Sequence, residues 1–309
     1  MEQHQPPIHS IAVIGVGRMG GPMALNLLRA GFTVSAYDAS PAQLDALARQ
    51  GVAAADSART AVRAAELVII MLPSDDALQQ VIEGPGGLLD ELRVGQTLID
   101  MGTSKLATSQ RLAALIAGRG AHMLDAPVSG GEQGARDGTL SIMVGGERSV
   151  FERCRPALAA MGTTLTYIGG NGMGLIAKLV NQMLMEASFC IIAESFGLAA
   201  KAGADLEAVY QAVHGGLGGS RVLDIMIPQL LSGDLGSGRE LTLHHKDGSY
   251  ALAAGETLSC WTPITELTHA LFDQALAVGQ GIHSAAAVAR VYEQRDAVHL
   301  AAPSDNLIV

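Results

Sequence analysis

The sequence predicts an α/β protein in two parts. A doubly wound sheet occupies residues 1–169, an all-α domain occupies 170–309, and one long helix passes between them. Three observations carry this. Short apolar runs recur through the first half with alanine- and leucine-rich helical segments between most of them. A glycine-rich turn follows the first of those runs directly. Beyond Gly174 the strand-like runs stop and long segments with few helix breakers take over. A chain of 309 residues suits two domains with proper cores.

Ile11-Ala12-Val13-Ile14 is an unbroken apolar run, as expected of a strand covered on both faces. It runs into Gly15-Val16-Gly17-Arg18-Met19-Gly20 and then a helical segment, Met23 to Arg29, closed by Gly31. Thr33 to Tyr37 reads as the second strand and ends at Asp38. Further strands are expected at Leu67–Leu72, Thr97–Met101, His122–Leu124 and Leu140–Val144. The glycines let the backbone turn tightly and approach a pyrophosphate at the helix N-terminus. Asp38 stands 23 residues after Gly15, a spacing suited to the adenosine ribose hydroxyls. Gly15, Val16, Gly17, Arg18, Met19, Gly20 and Asp38 are therefore candidate dinucleotide contacts, a purely structural turn being the alternative. Ala39 and Ser40 supply no arginine for a 2′-phosphate, which favours NAD and leaves NADP as the second option. Ligands of such sheets bind beyond the carboxyl ends of the strands. Leu72, Pro73 and Thr103 are thus candidates for the nicotinamide side, or else ordinary loop residues.

Asp125-Ala126-Pro127-Val128-Ser129-Gly130-Gly131 follows a strand and precedes a second glycine-rich turn at 134–138. The Ser129 hydroxyl and the main-chain N–H groups of Gly130 and Gly131 can hold a small carboxylate; a structural turn is the competing reading. Helices are expected over Gly174–Ala202, Leu206–His214, Val222–Leu231, Tyr250–Ala254 and Pro263–Val278. The chain has 4 lysines against 16 arginines, so each lysine invites a question. Lysine can cycle a proton where arginine cannot. Lys178 follows the cluster Gly169 to Gly174 near the start of the long helix, where the macrodipole lowers an amine pKa. Asn181 shares its face. A lysine snorkelling to solvent is the alternative. Lys246, in Leu241 to Asp247, is the second lysine of interest.

Composition excludes several classes. A net charge of -10 argues against nucleic acid and anionic membrane as partners. Cys154, Cys190 and Cys260 are widely spaced, without metal-ligand pattern, and read as reduced, buried thiols. Adjacent His244 and His245 lack helical metal spacing, so no metal is expected. His214 reads as a helix-end residue, and Glu186 and Glu194 as ion-paired or solvated. No signal-like start and no apolar stretch of spanning length is evident, which points to the cytoplasm.

Three blocks in order resemble the β-hydroxyacid dehydrogenase family. They are Gly15-Val16-Gly17-Arg18-Met19-Gly20-Gly21-Pro22-Met23-Ala24, then Asp125 to Gly131 continuing to Gly138-Thr139-Leu140, then Gly172-Met173-Gly174 with Lys178-Leu179-Val180-Asn181. Lys246-Asp247 is similar to the family's later Lys-Asp pair. The resemblance covers nearly the whole chain. It implies an N-terminal Rossmann domain, a long interdomain helix, a helical domain that builds homodimers or homotetramers, and reversible hydride transfer between nicotinamide and a small anionic β-hydroxy acid. It further implies Lys178 as general acid/base, Asn181 orienting substrate or lysine, Ser129, Gly130 and Gly131 on the carboxylate, and Lys246 supporting the site. The segment Val209 to Ser220 is most similar to tartronate semialdehyde (2-hydroxy-3-oxopropionate) reductases; 3-hydroxyisobutyrate dehydrogenase is the other type in view. Two positions depart from the pattern. Gln182 stands where many members carry asparagine, leaving the amide role to Asn181, Gln182 or both. Arg221 replaces a small residue and pairs either with a second substrate anion or with a surface or subunit partner. The rivals are an imine reductase-like NADPH enzyme and a non-catalytic dinucleotide sensor or scaffold.

Overall fold

The computed structural model describes residues 7–236 and 239–301, which divide into two compact units after Lys178. The first alternates β1 (Ser10–Ile14), α1 (Gly20–Arg29), β2 (Thr33–Tyr37), α2 (Pro41–Ala48), β3 (Ala53–Ala54), α3 (Ala58–Ala64), β4 (Leu67–Ile70) and α4 (Asp75–Glu83). It continues with β5 (Thr97–Asp100), α5 (Leu106–Ala117), β6 (His122–Asp125), β7 (Val128–Ser129), α6 (Gly131–Asp137), β8 (Ser141–Gly145), α7 (Arg148–Ala159) and β9 (Thr164–Gly169). The strand order is β3-β2-β1-β4-β5-β6-β8-β7, with β9 beside β8. Strands β1 to β6 are mutually parallel, whereas β8 runs antiparallel to β6 and β7.

Burial explains the strand composition. Every residue of β4 and the last four of β1 are buried, because helices cover both faces of the sheet and leave no position for a polar side chain. The chain winds outward from β1 in both directions, so the strand order reverses between β1 and β4. That reversal opens a crevice at their carboxyl ends.

Helix α8 (Met173–Lys201) runs unbroken through 29 residues and begins the second unit's helices. These are α9 (Leu206–Val213), α10 (Arg221–Ser232), α11 (Leu241–Leu258), α12 (Pro263–Ala277) and α13 (Ala289–Asp296). Their core holds Phe189, Ala193, Phe196, Met226, Ile227 and Phe272. Several expectations need correction. Helix α11 extends far beyond Tyr250–Ala254 and takes in Lys246. The expected turn at 134–138 is largely helix α6. Among the described residues α8 is long and apolar enough to cross a membrane by length and composition, contrary to the expectation. Its buried face nevertheless packs into a globular core and includes the polar Gln182 and Glu186. Cys154 and Cys190 are buried, and burial pushes both thiols up to about 12; Cys260 is exposed, not buried as expected.

Candidate active site

The glycine turn after β1 is built by two close approaches and one opening. Gly15 has φ +87°, and a Cβ there would lie 2.4 Å from the Met71 carbonyl oxygen at the end of β4. A Cβ on Gly20 would lie 2.0 Å from the Gly15 carbonyl oxygen, so α1 can start against the turn only with glycine there. Gly17 is different: it is exposed, and a Cβ on it would meet nothing within 4 Å. That space above the α1 N-terminus is where a pyrophosphate fits. Asp38, at the end of β2, accepts hydrogen bonds from Val16 N (2.7 Å) and Ser40 N (2.8 Å), which fixes its carboxylate beside the turn. Arg18 reaches the other way, pairing with Glu132 on α6 at 2.8 Å. Met19 precedes α1 directly. The residues present fit a dinucleotide.

Leu72, Gly102 and Thr103 line one small cleft with Ser74 and Asp100, at the carboxyl ends of β4 and β5. Pro73 is exposed on the same loop as Leu72. Asp100 holds this edge together: it is fully buried and accepts from Gly102 N (2.9 Å) and Ser104 Oγ (3.1 Å). Burial pushes its carboxyl up to about 6, the Asp125 and Asp75 carboxylates add to this, and the two hydrogen bonds oppose it.

The second and third sequence blocks meet at Asp125. Its carboxylate, at the end of β6, accepts from Gly172 N (2.7 Å) and Leu175 N (2.8 Å), capping α8 from outside the helix. Burial pushes this carboxyl also up to about 6, against those hydrogen bonds. The glycines are required for the approach: a Cβ on Gly174 would lie 2.3 Å from the Met143 carbonyl oxygen, and one on Gly145 would lie 2.6 Å from Gly174 N. Asp125 therefore locks the start of α8 to the strand that leads, four residues later, into Ser129. There Gly130 (φ +131°) and Gly131 (φ +63°) expose the main chain where α6 begins. Lys178 sits in the second turn of α8, beyond the first turn where the macrodipole acts most strongly, and is buried.

In the second unit α8 and α11 share a polar network. Asn181 Nδ2 donates to Gln182 Oε1 (2.9 Å), and Gln182 Nε2 donates to Asp247 Oδ2 (2.7 Å). Asp247, with no exposed surface, also pairs with Arg239 (2.7 Å) and Lys246 (3.3 Å). Lys246 Nζ stands 5.2 Å from the Tyr250 ring centroid. Gln182 is fully buried with both ends of its amide engaged, so Asn181 is the amide that keeps exposed surface. Arg221 opens α10 and is exposed. Glu186 is buried with its carboxylate 3.6 Å from His244 Nδ1, the paired and not the solvated of its two expected settings. His214 caps the end of α9, as its sequence position implied.

Residues 10–169 match the family described as the NAD binding domain of 6-phosphogluconate dehydrogenase. Residues 172–292 match the family described as NAD-binding of NADP-dependent 3-hydroxyisobutyrate dehydrogenase. The chain belongs to the β-hydroxyacid dehydrogenase family. It is thus an NAD(P)-dependent oxidoreductase. The chain is 37% identical to 2-hydroxy-3-oxopropionate reductase of Escherichia coli, over 87% of this chain and 92% of the relative. It is 34% identical to 2-(hydroxymethyl)glutarate dehydrogenase of Eubacterium barkeri, over 93% and 96%. Among solved structures, 3-hydroxyisobutyrate dehydrogenase of Mycobacterium tuberculosis with L-serine superposes with a TM-score of 0.86 at 30% identity, covering 92% of this chain and 99% of that one. In this dehydrogenase, sequence reasoning passed over Asp100, Arg239 and the hub role of Asp247. The Lys246-Asp247 pair was the one available signal. Reading it as a hub requires knowing that Gln182, 65 positions earlier, reaches Asp247.

Proposed function

We propose that this dehydrogenase interconverts a small β-hydroxy acid and its semialdehyde or ketone, of the 2-hydroxy-3-oxopropionate or 3-hydroxyisobutyrate type, with Lys178 as general acid/base. The observation that carries this reading is the Asp125 lock, which ties the Ser129 loop and the first turns of α8 into one unit. NAD(P), when bound, accepts or returns a hydride at its nicotinamide. Gly15 to Gly20 and Asp38 hold its adenosine half, and Leu72, Pro73 and Thr103 flank the reactive end. The Asp38 carboxylate beside the turn would face a 2′-phosphate with like charge, which favours NAD. Ser129, Gly130 and Gly131 bind the substrate carboxylate and so fix the reacting carbon. Lys178 takes the hydroxyl proton during oxidation and returns it to the forming alkoxide during reduction. Asn181 orients the substrate, and Lys246, anchored by Asp247, adds positive charge.

The same reading makes the protein a cytoplasmic homodimer or homotetramer. Val180, Leu184, Ile191 and Leu198 leave an exposed apolar stripe along α8 at steps of four and seven residues, which a further copy would cover. The test of the chemistry is Lys178→Ala beside Lys178→Arg. Both lower kcat by at least about a hundredfold while NADH affinity, read by fluorescence titration, stays nearly constant. Turnover retained in either variant removes Lys178 from the reaction.

A further inference from the structure

The α11–α12 pair carries a side-chain cluster that the reaction leaves unused. His245 lies on α11, and His269 and Asp273 lie one turn apart on α12, the spacing that puts two side chains on one face. One donor atom from each of the three falls within 4.8 Å of the other two. His245 Nε2 and Asp273 Oδ1 are 2.7 Å apart. The two imidazoles stack with centroids 4.1 Å apart and planes inclined by 20°. His269 Nδ1 is buried without a hydrogen-bond partner among the described residues, lying where a Cβ on Gly248 would come within 3.2 Å. Both histidines are half-buried and Asp273 is exposed, so the cluster opens to solvent on its carboxylate side.

A His–Asp hydrogen bond accounts for His245 and Asp273 but not for the second imidazole brought against them. Two imidazoles and one carboxylate form a nitrogen-rich donor set. Zinc-class ions take such ligands, whereas calcium and magnesium take oxygen. We propose that His245, His269 and Asp273 bind a zinc-class divalent transition ion at a non-catalytic site, with water completing a tetrahedral shell. Tetrahedral ligands at zinc distances stand about 3.4 Å apart. The present spread of up to 4.8 Å closes to that distance by turning the exposed Asp273 and the two half-buried rings in the proposed ion-bound form. The ion then ties α11 to α12 by three ligands drawn from segments 24 to 28 residues apart in sequence.

The experiment uses the full-length, tag-free protein stripped with a chelator. Titration with ZnCl2 by calorimetry gives one equivalent bound and a higher melting temperature, and CoCl2 gives the visible absorption of a tetrahedral cobalt centre. His269→Gln and Asp273→Asn each weaken zinc binding by at least about tenfold and leave turnover in metal-free buffer unchanged. Absence of stoichiometric binding, or binding undiminished in both variants, overturns the site and leaves a hydrogen-bonded His–Asp pair with a stacked neighbour.

Discussion

Asp100→Asn isolates the electrostatic cost of the cleft edge. The side chain is fully buried, and its carboxyl is pushed from 3.8 up to about 6 by burial and by the Asp125 and Asp75 carboxylates. Because the folded value lies above the unfolded one, the group favours the folded state fully below about pH 3.8. That contribution is lost as pH rises through about 6. The separation corresponds to about 3 kcal/mol. Asparagine keeps the shape: Oδ1 accepts from Gly102 N, and Nδ2 donates to Ser104 Oγ, which turns to accept. The variant and the parent should therefore unfold at similar urea concentrations at pH 4. At pH 7.5 the variant should be more stable by up to about 3 kcal/mol, the parent losing more ground in between while both share the loss from Asp125. KM for NAD should change little, since the loop carrying Thr103 keeps its hydrogen bonds. A stability difference that is flat with pH, or a variant weaker at pH 7.5, would refute the argument from burial.

Other substitutions separate binding from architecture. Gly17→Ala adds a Cβ into open space, so melting temperature should hold while KM for NAD rises severalfold; an unchanged KM would remove Gly17 from the dinucleotide site. Gly20→Ala drives a Cβ to 2.0 Å from a carbonyl oxygen, so it should destabilise the fold itself, read as a lower melting temperature with or without NAD. Asp247→Ala strips the common partner of Gln182, Arg239 and Lys246 and should cost about 3 kcal/mol. Denaturation curves test this, and a neutral result would mean the network relaxes to water.

The parts of this protein legible in its sequence are those set by local rules. A strand covered on both faces must be apolar throughout, so β1 and β4 stand out without any tertiary knowledge. The Gly15 to Gly20 turn is equally plain, because each glycine answers a steric demand made within a few residues or by the adjacent strand end. Helix α11 failed the same reading for a physical reason. Its first half, around His244-His245-Lys246-Asp247-Gly248, buries His244 and Asp247, the latter held by Gln182 and Arg239 from other segments, so the apolar period that marks a helix face is absent.

That failure has the same origin as the overlooked site residues. Asp247 looks like an ordinary surface acid until Gln182 and Arg239 are placed on it, and His245 looks like half of an unremarkable pair until α12 presents His269 and Asp273. Asp125 differs only in degree. Its block was recognisable, but the reason for the block lies 47 to 50 residues downstream, at the N–H groups of Gly172 and Leu175. Glycines in the third block then follow from the second, since the helix can be capped by a strand-end carboxylate only if its first turn has no Cβ at Gly174. The spacing of catalytic candidates along this chain thus follows one buried joint, and the role proposed for Lys178 depends on that joint holding the start of α8 in place.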